Sequence, residues 1–239
     1  MIFISRINLN SHVNKDQYPF SIPVLKNFEE LIIKSPVTFF VGENGSGKST
    51  LIEAIAVNSG LNAEGGSQNF TFKTSDSHSD LYKELTVSTT GYKPTTKYFL
   101  RAESFYNVAS EIENIGIDAL ASHGGTSLHQ CSHGEAFLQL IENRFYDKGL
   151  YILDEPESAL SPLKQMSLLV LINELVKNGS QFIIATHSPI LLSYPKATIL
   201  DFDNNMNEID YKDTEHYKLY EMFINNPEMM VEKLLKETD

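Results

Sequence analysis

Gly42-Glu43-Asn44-Gly45-Ser46-Gly47-Lys48-Ser49-Thr50 is the stretch on which the reading of this chain turns. It matches the pattern G-x-x-x-x-G-K-[ST], whose glycines let backbone N–H groups turn inward around phosphate. The start of the helix that follows adds its partial positive charge. Within the pattern Lys48 is placed to meet the β- and γ-phosphates of a nucleotide, and the Ser49 hydroxyl to meet Mg²⁺. The context is the one this chemistry requires. Pro36 leads into Val37–Val41, a short apolar run bounded by Gly42 that reads as a buried strand. Lys48–Val57 reads as a helix closed by Asn58 and Gly60.

A phosphate loop needs an acidic residue at the end of a neighbouring strand to organise Mg²⁺ and water. Leu150-Tyr151-Ile152-Leu153-Asp154-Glu155 supplies an apolar strand ending in two carboxylates. Asp154 is placed to hold the Mg²⁺ hydration shell and Glu155 to polarise an attacking water as general base. Phe182-Ile183-Ile184-Ala185-Thr186-His187 is a further strand, ending in a histidine that can hydrogen-bond the γ-phosphate and the water.

The rest of the chain continues the alternation. Met1–Leu9 and Lys97–Leu100 read as strands, Ser104 to about Leu120 as a helix, and Ser122–Cys131 as a turn-rich segment. Phe70 and Phe72 alternate in a polar stretch and suggest a minor hairpin. Phe137, Leu140, Ile141 and Phe145 fall on one face of a helix starting near His133, and Pro162 opens a long helix to Lys177. Beyond Asp213 two amphipathic helices are expected, the second capped by Asn226 with Pro227 at its first position. Alternating strands and helices predict an α/β fold with a mostly parallel core sheet.

Composition narrows the class. Hydrophobic residues make up 41% and charged residues 21% of 239, the balance of a soluble globular domain with a full core. The longest apolar runs, around Val37–Val41 and Leu168–Ile172, are about five residues each, against roughly 18 or more for a membrane span. Hence no transmembrane segment is expected. The single cysteine makes no internal disulfide, and a cytoplasmic location is expected. With 19 basic against 31 acidic residues the net charge is −12, and no cluster of four Lys or Arg occurs. Nucleic acid as a partner is therefore not indicated by charge.

Taken in order, the phosphate loop, Ser132-His133-Gly134-Glu135, Asp154-Glu155 and His187 resemble an ABC-type ATPase nucleotide-binding domain over most of Met1–Leu200. Ser132 lies 22 residues before Asp154, and His187 lies 33 after it, separations similar to that family's. Asp154-Glu155-Pro156-Glu157 and Thr186-His187-Ser188-Pro189 are similar to its soluble RecF-, SMC- and OLD-like branch, whose AAA family ATPases include a small stand-alone group. The 81 positions from Thr50 to Cys131 leave no room for a long coiled coil, and the 52 residues after His187 are too few for a Toprim nuclease domain.

The resemblance implies a P-loop NTPase with a small antiparallel β part and a reduced helical subdomain at about 104–146. It places the ATPase domain at 1–212 and a C-terminal helical extension at 213–239. It implies an ATP hydrolase using ATP and Mg²⁺ that forms a homodimer on ATP binding. Two chains would sandwich two nucleotides, with Ser132, His133, Gly134 and Glu135 of one facing the γ-phosphate held by the other. The expected task is a switch in DNA maintenance or defence, working on nucleic acid or on a separately encoded effector; the alternatives are an ATP-binding subunit of an ABC transporter and a nucleotide-binding switch of very low hydrolysis. Glu103, just after the Lys97–Leu100 strand, stands as the candidate for the family's metal-facing Q-loop residue. His133 replaces a usual glycine, and Ser161 replaces the aspartate that usually ends the segment Ser158–Ser161.

Other features carry less. Tyr18 and Phe20 precede the phosphate loop at a distance suited to stacking on adenine, or else pack in the core beside Pro19 and Pro23. His123, His129, Cys131 and His133 would share a face only on a strand, which disfavours a zinc site. Asp201-x-Asp203 lacks the partner domain of a metal-dependent nuclease. Tyr217, Tyr220, Phe223, Ile224, Met229, Met230, Leu234 and Leu235 either cover the domain's edge or form a docking surface.

Overall fold

A computed structural model describes residues 1–67, 79–105 and 133–236. The expected hairpin at Phe70 and Phe72, the helix from Ser104 and the turn-rich segment to Cys131 lie largely or wholly outside the described residues, as does most of the 104–146 subdomain.

Ten strands are described: β1 (Ile4–Leu9), β2 (Glu30–Ile32), β3 (Val37–Val41), β4 (Gly66–Ser67), β5 (Leu85–Thr89), β6 (Lys97–Arg101), β7 (Leu150–Asp154), β8 (Gln181–Ala185), β9 (Thr198–Asp201) and β10 (Asn207–Glu208). The helices are α1 (Pro23–Lys26), α2 (Lys48–Asn58), α3 (Leu81–Glu84), α4 (His133–Arg144), α5 (Pro162–Lys177), α6 (Pro189–Leu192), α7 (Glu215–Asn225) and α8 (Pro227–Lys236). One sheet has the order β10-β9-β3-β8-β7-β6-β4, and a second, antiparallel, the order β2-β1-β5. In the large sheet β9, β3, β8, β7 and β6 run parallel, and only the short flanking β10 and β4 are antiparallel. The α/β architecture with a mostly parallel sheet and a small antiparallel part is thus the one observed.

Each central strand is buried on both faces, as a parallel sheet covered on two sides requires. Phe40, Ile152, Ile183 and Ala185 face a cluster with Ile4 and Ile7 of β1 and Leu51, Ile52 and Ile55 of α2. Phe39, Val41, Tyr151, Leu153, Phe182 and Ile184 face the opposite cluster with Phe137, Leu140 and Ile141 of α4 and Leu168 and Ile172 of α5. α2 is therefore wedged between the two sheets. Its buried positions, Leu51, Ile52, Ala54, Ile55 and Ala56, run round the helix rather than down one stripe.

β5 is the strand that the pattern of apolar residues does not announce. Leu-Thr-Val-Ser-Thr is mostly polar, and it forms because β1 offers it an edge, pairing Ile7 with Val87 and Leu9 with Leu85. The two sheets are also joined by one buried polar group. Gln181 Oε1 on β8 accepts from the N–H groups of Phe3 (2.7 Å) and Ile4 (2.9 Å), and its Nε2 donates to the Ile4 carbonyl (2.9 Å). The C-terminal helices do not bury an edge: no described side chain of α7 or α8 is buried.

The Gln181 clip carries a prediction. Gln181→Leu strands two backbone N–H groups away from water, which should cost about 2 kcal/mol or more of folding stability. Urea denaturation reads this directly, and an unchanged midpoint would show that the two sheets are held by apolar packing alone.

Candidate functional site

Strand register builds the site. Phe40 of β3 and Asp154 of β7 both pair with Ala185 of β8, and Asp154 pairs in turn with Arg101 of β6. The carboxyl ends of four adjacent strands are therefore level, and Gly42, Arg101, Asp154 and Thr186-His187 leave the sheet along one row. The ladder runs one step beyond the strands, with Glu155 N–H donating to the Ala185 carbonyl (3.0 Å) and Thr186 N–H to that of Phe40 (3.2 Å).

The phosphate loop turns sharply between β3 and α2. Gly47 caps α2 at φ +103°, where an added Cβ would come within 3.1 Å of Ile22 Cγ2 and 3.3 Å of Val24 Cγ1. Both the left-handed backbone and the close approach call for glycine. Asn44, Gly45, Gly47, Lys48, Ser49, Thr50, Tyr18, Ile22 and Glu155 line a cleft of about 230 Å³. Lys48 Nζ is drawn into the loop, donating to the carbonyls of Gly42 (2.7 Å) and Glu43 (2.8 Å) and lying 3.4 Å from Ser46 Oγ. Burial lowers its pKa, against the raising pull of Glu155, Asp203 and Asp154. Asp203, after β9, accepts from the Glu43 N–H at 2.7 Å and so steadies the loop from the other side.

Opposite the loop, Ser49 Oγ donates to Asp154 Oδ1 at 3.1 Å. Asp154 is buried, and burial raises its pKa to about 6 even though Arg101 opposes the shift. Arg101 Nε lies 3.3 Å from Asp154 Oδ2 without hydrogen-bond alignment, while its Nη1 donates to Glu53 Oε2 on α2 at 3.0 Å. A hydroxyl and a carboxylate oxygen side by side are the hard donors Mg²⁺ takes. Glu103 stands apart from that pair: its side chain is 82% exposed and meets Arg101 Nη2 at 4.0 Å. Among the described residues no cluster of three or more His, Cys, Asp or Glu side chains forms a metal cage.

Glu155 sits at φ +49°, a left-handed conformation that a non-glycine residue adopts at some cost. The turn puts its Oε1 3.7 Å from His187 Nε2. Glu157 locks the loop carrying that histidine, accepting from Thr186 Oγ1 (2.7 Å) and the His187 N–H (2.5 Å). His187 Nδ1 meets His216 Nε2 of α7 at 2.8 Å. Burial above all, and then the Lys48 charge, depress the His187 pKa to about 4.

The signature segment is described from His133 onward, and Ser132 lies outside the described residues. Gly134 is packed so closely that a Cβ would come within 2.9 Å of the Ala159 carbonyl oxygen and of Lys164 Cδ. Glu135 pairs with Lys164 at 3.9 Å. Ser161 is the N-cap of α5, accepting from the Lys164 N–H at 3.5 Å, a service aspartate performs equally well. Tyr18 and Phe20 part company: Tyr18 is 70% exposed on the rim of the loop cleft, whereas Phe20 packs against the core. Arg101 and His216 are not singled out by sequence reasoning, which names Glu157 only as part of the Asp154–Glu157 motif and Asp203 only as part of the Asp201-x-Asp203 pair. Arg101 directly follows a predicted strand end, a signal that could have flagged it.

The loop glycines, the buried lysine and the Ser49–Asp154 pair fit a nucleoside triphosphate with Mg²⁺. A family model described as "AAA domain" matches residues 7–123, and another, described as "AAA domain, putative AbiEii toxin, Type IV TA system", matches residues 128–193. The chain is 25% identical over 186 residues to the ribose import ATP-binding protein RbsA of Bacillus cereus, covering 69% of this chain and 37% of that protein. It is 24% identical over 200 residues to the energy-coupling factor transporter ATP-binding protein EcfA2 of Methanospirillum hungatei, covering 75% and 49%. It is 28% identical over 183 residues to the cobalt import ATP-binding protein CbiO of Salmonella typhimurium, covering 69% and 66%. The chain thus spans 37–66% of the length of these relatives. Among solved structures, cbiO1 from Clostridium perfringens, part of the ABC transporter complex cbiONQ, aligns with a TM-score of 0.48 at 17% identity, over 99% of this chain and 100% of that one. The SMC head domain from Thermotoga maritima aligns at 0.46 and 17%, over 84% and 94%. No helix among the described residues is long and apolar enough to cross a membrane.

The depressed His187 pKa implies a pH signature. The unfolded histidine, near 6.5, binds a proton over a range where the folded one does not. Its contribution to stability is therefore full above about pH 6.5 and is lost as the pH falls toward 4. Because the side chain is 27% exposed, the full shift is discounted and the loss set at about 1–2 kcal/mol. His187→Gln should show a flatter dependence of unfolding free energy on pH across that window, and parallel curves would refute it.

Matched by AAA-domain models over two consecutive stretches that meet at a single phosphate cleft, the chain carries a P-loop nucleotide-binding domain similar to those of ABC-type ATPases.

Proposed function

We propose that this chain binds ATP with Mg²⁺, hydrolyses it, and uses the cycle to drive a larger assembly. The observation that carries the reading is the meeting of Lys48, Ser49–Asp154 and Glu155–His187 at the level ends of β3, β7 and β8. Gly42, Glu43, Asn44, Gly45, Ser46, Gly47 and Thr50 shape the loop around the phosphates, with Lys48 as their cation. Ser49 and Asp154 would hold the metal, which when bound would offset phosphate charge. Glu155 accepts the proton of the attacking water, and His187, on the opposite side of that space, orients it. Tyr18 offers its exposed ring to the adenine.

Gly134 and its neighbours Ser132, His133 and Glu135 face a second nucleotide across a homodimer in this reading. The ATPase domain then comprises 1–212, with 213–239 as an extension whose first helix reaches the site. The close approach of Gly134 to Ala159 ties that signature helix to the turn carrying Glu155, so one end of the dimer interface is rigidly joined to the hydrolytic one.

For the assembly, the printed functions of the curated relatives favour the alternative named above: an energising subunit of a transporter, working beside a membrane-embedded partner. They lend no weight to DNA maintenance. A second reading, a switch for a separately encoded defence effector, is favoured by the description of the model over residues 128–193.

Glu155→Gln should keep ATP binding while turnover falls about a hundredfold or more, the contribution of a general base. Light scattering of that variant should report a doubling of mass only with ATP and Mg²⁺. A mass indifferent to nucleotide, or undiminished turnover, would overturn the proposal. Co-purification of the chain with a membrane protein would favour the transporter assembly over the defence switch.

A further inference from the structure

We propose that His216, the second residue of α7, is a positioning residue for the nucleotide site: it donates a ring N–H to His187 Nδ1 and thereby holds the His187 proton on Nε2, the nitrogen facing Glu155. The inference rests on the hydrolase reading above and deepens it.

The two rings meet edge to face, with centroids 4.9 Å apart and planes at 63°, and His187 Nδ1 and His216 Nε2 are 2.8 Å apart. One of the two nitrogens must carry the hydrogen, and a neutral histidine has only one to place. If His187 donated through Nδ1, its Nε2 would present a bare lone pair to Glu155 Oε1 at 3.7 Å, acceptor against acceptor. If His216 donates instead, His187 Nε2 bears the hydrogen and points it toward the carboxylate. That atom is buried and has no hydrogen-bond partner among the described residues, so the hydrogen bond at Nδ1 to His216 is the one that fixes the tautomer, with the Glu155 carboxylate favouring the same choice. Burial depresses the pKa of both histidines, which keeps each ring neutral and the choice between tautomers meaningful.

His216 is well placed to impose the choice. Thr214 caps α7, accepting from the Tyr217 N–H at 3.2 Å and donating to the Tyr211 carbonyl at 2.7 Å, and it is buried. The Tyr211 and Tyr217 rings lie edge to face at 4.8 Å. The first turn of α7 is thus pinned against the domain on both sides of His216. A donor on Nε2 is what a group meeting the γ-phosphate and the attacking water needs, since both present oxygen lone pairs. Turnover consequently depends on α7 being docked.

The test uses His216→Phe, which keeps the ring and removes the donor, and His216→Gln, whose amide nitrogen stands near the position of Nε2 and can still donate. On the full chain, His216→Phe should lower kcat about tenfold with KM for ATP within about twofold, and His216→Gln should recover at least half of the wild-type kcat. Long-range nitrogen–proton spectra of the histidine rings should show His187 with its hydrogen on Nε2 in the wild type and in His216→Gln, and redistributed in His216→Phe. A kcat within twofold of wild type for His216→Phe, a Gln variant as slow as the Phe variant, or an unaltered tautomer would overturn the proposal. Should Glu155→Gln leave turnover unchanged, the hydrolase reading fails, while the ring spectra still decide the role of His216.

Discussion

The alignment of the parallel strands is the constraint on which everything else in the molecule rests. Phe40, Ala185, Asp154 and Arg101 occupy successive steps of one register row, and Glu155, His187 and the start of the phosphate loop at Gly42 follow within two residues of it. Slipping any strand by one residue would exchange its two faces, sending Ile152 and Ile183 into the layer built for Tyr151 and Phe182. Because both layers are closely packed, the register cannot drift, and the ends of β3, β8 and β7 stay level. Rigidity in the sheet is what lets short, irregular loops hold reactive groups at fixed separations.

Charge at the strand ends is held where water is scarce. Asp154 shares Arg101 with Glu53, yet burial outweighs that partner and leaves the carboxyl raised to about 6. Lys48 shows the mirror image: burial lowers it despite the four carboxylates of Glu155, Asp203, Asp154 and Glu157 nearby. Neither ion is fully compensated by protein, which for a buried charge is costly. A divalent cation beside Asp154 and phosphate beside Lys48 would supply the missing halves. The same environment makes interactions with a bound triphosphate stronger than they would be in open solvent.

Local patterns made most of this legible. The phosphate loop, the Asp154-Glu155 pair and the strand ending at His187 each declare themselves within about ten consecutive residues, because backbone curvature, apolar burial and a polar terminus are all encoded nearby. Helices with clear start signals were equally plain, as with Pro162 on α5 and Pro227 on α8. What stayed hidden depends on partners far along the chain. β5 is a strand because β1 is there, and its own Thr-Val-Ser-Thr says little. Gln181 looks like the polar start of a strand until it meets Phe3 and Ile4, and Asp203 like a loop acid until it meets the Glu43 amide. Glu103 is suggested by its place after β6, but Arg101, the last residue of that strand, is the side chain that meets Asp154, while Glu103 lies in the turn beyond the strand and is exposed.

The same reasoning explains why the extension after Asp213 matters more than its burial suggests. Apolar burial holds α2, α4 and α5 in place, whereas α7 is held by a threonine cap, one tyrosine pair and one histidine pair. Leu219, Tyr220, Phe223 and Ile224 face outward along it, and Leu163, Met166 and Val170 do so on α5. Elements held by few buried contacts open locally at low free-energy cost, long before a core strand does. One of the three groups fastening α7 is also the neighbour of the histidine that looks onto Glu155. A helix held by few buried contacts and the most demanding polar geometry of the site thus share a single hydrogen bond, and the order of the site is bounded by the order of α7.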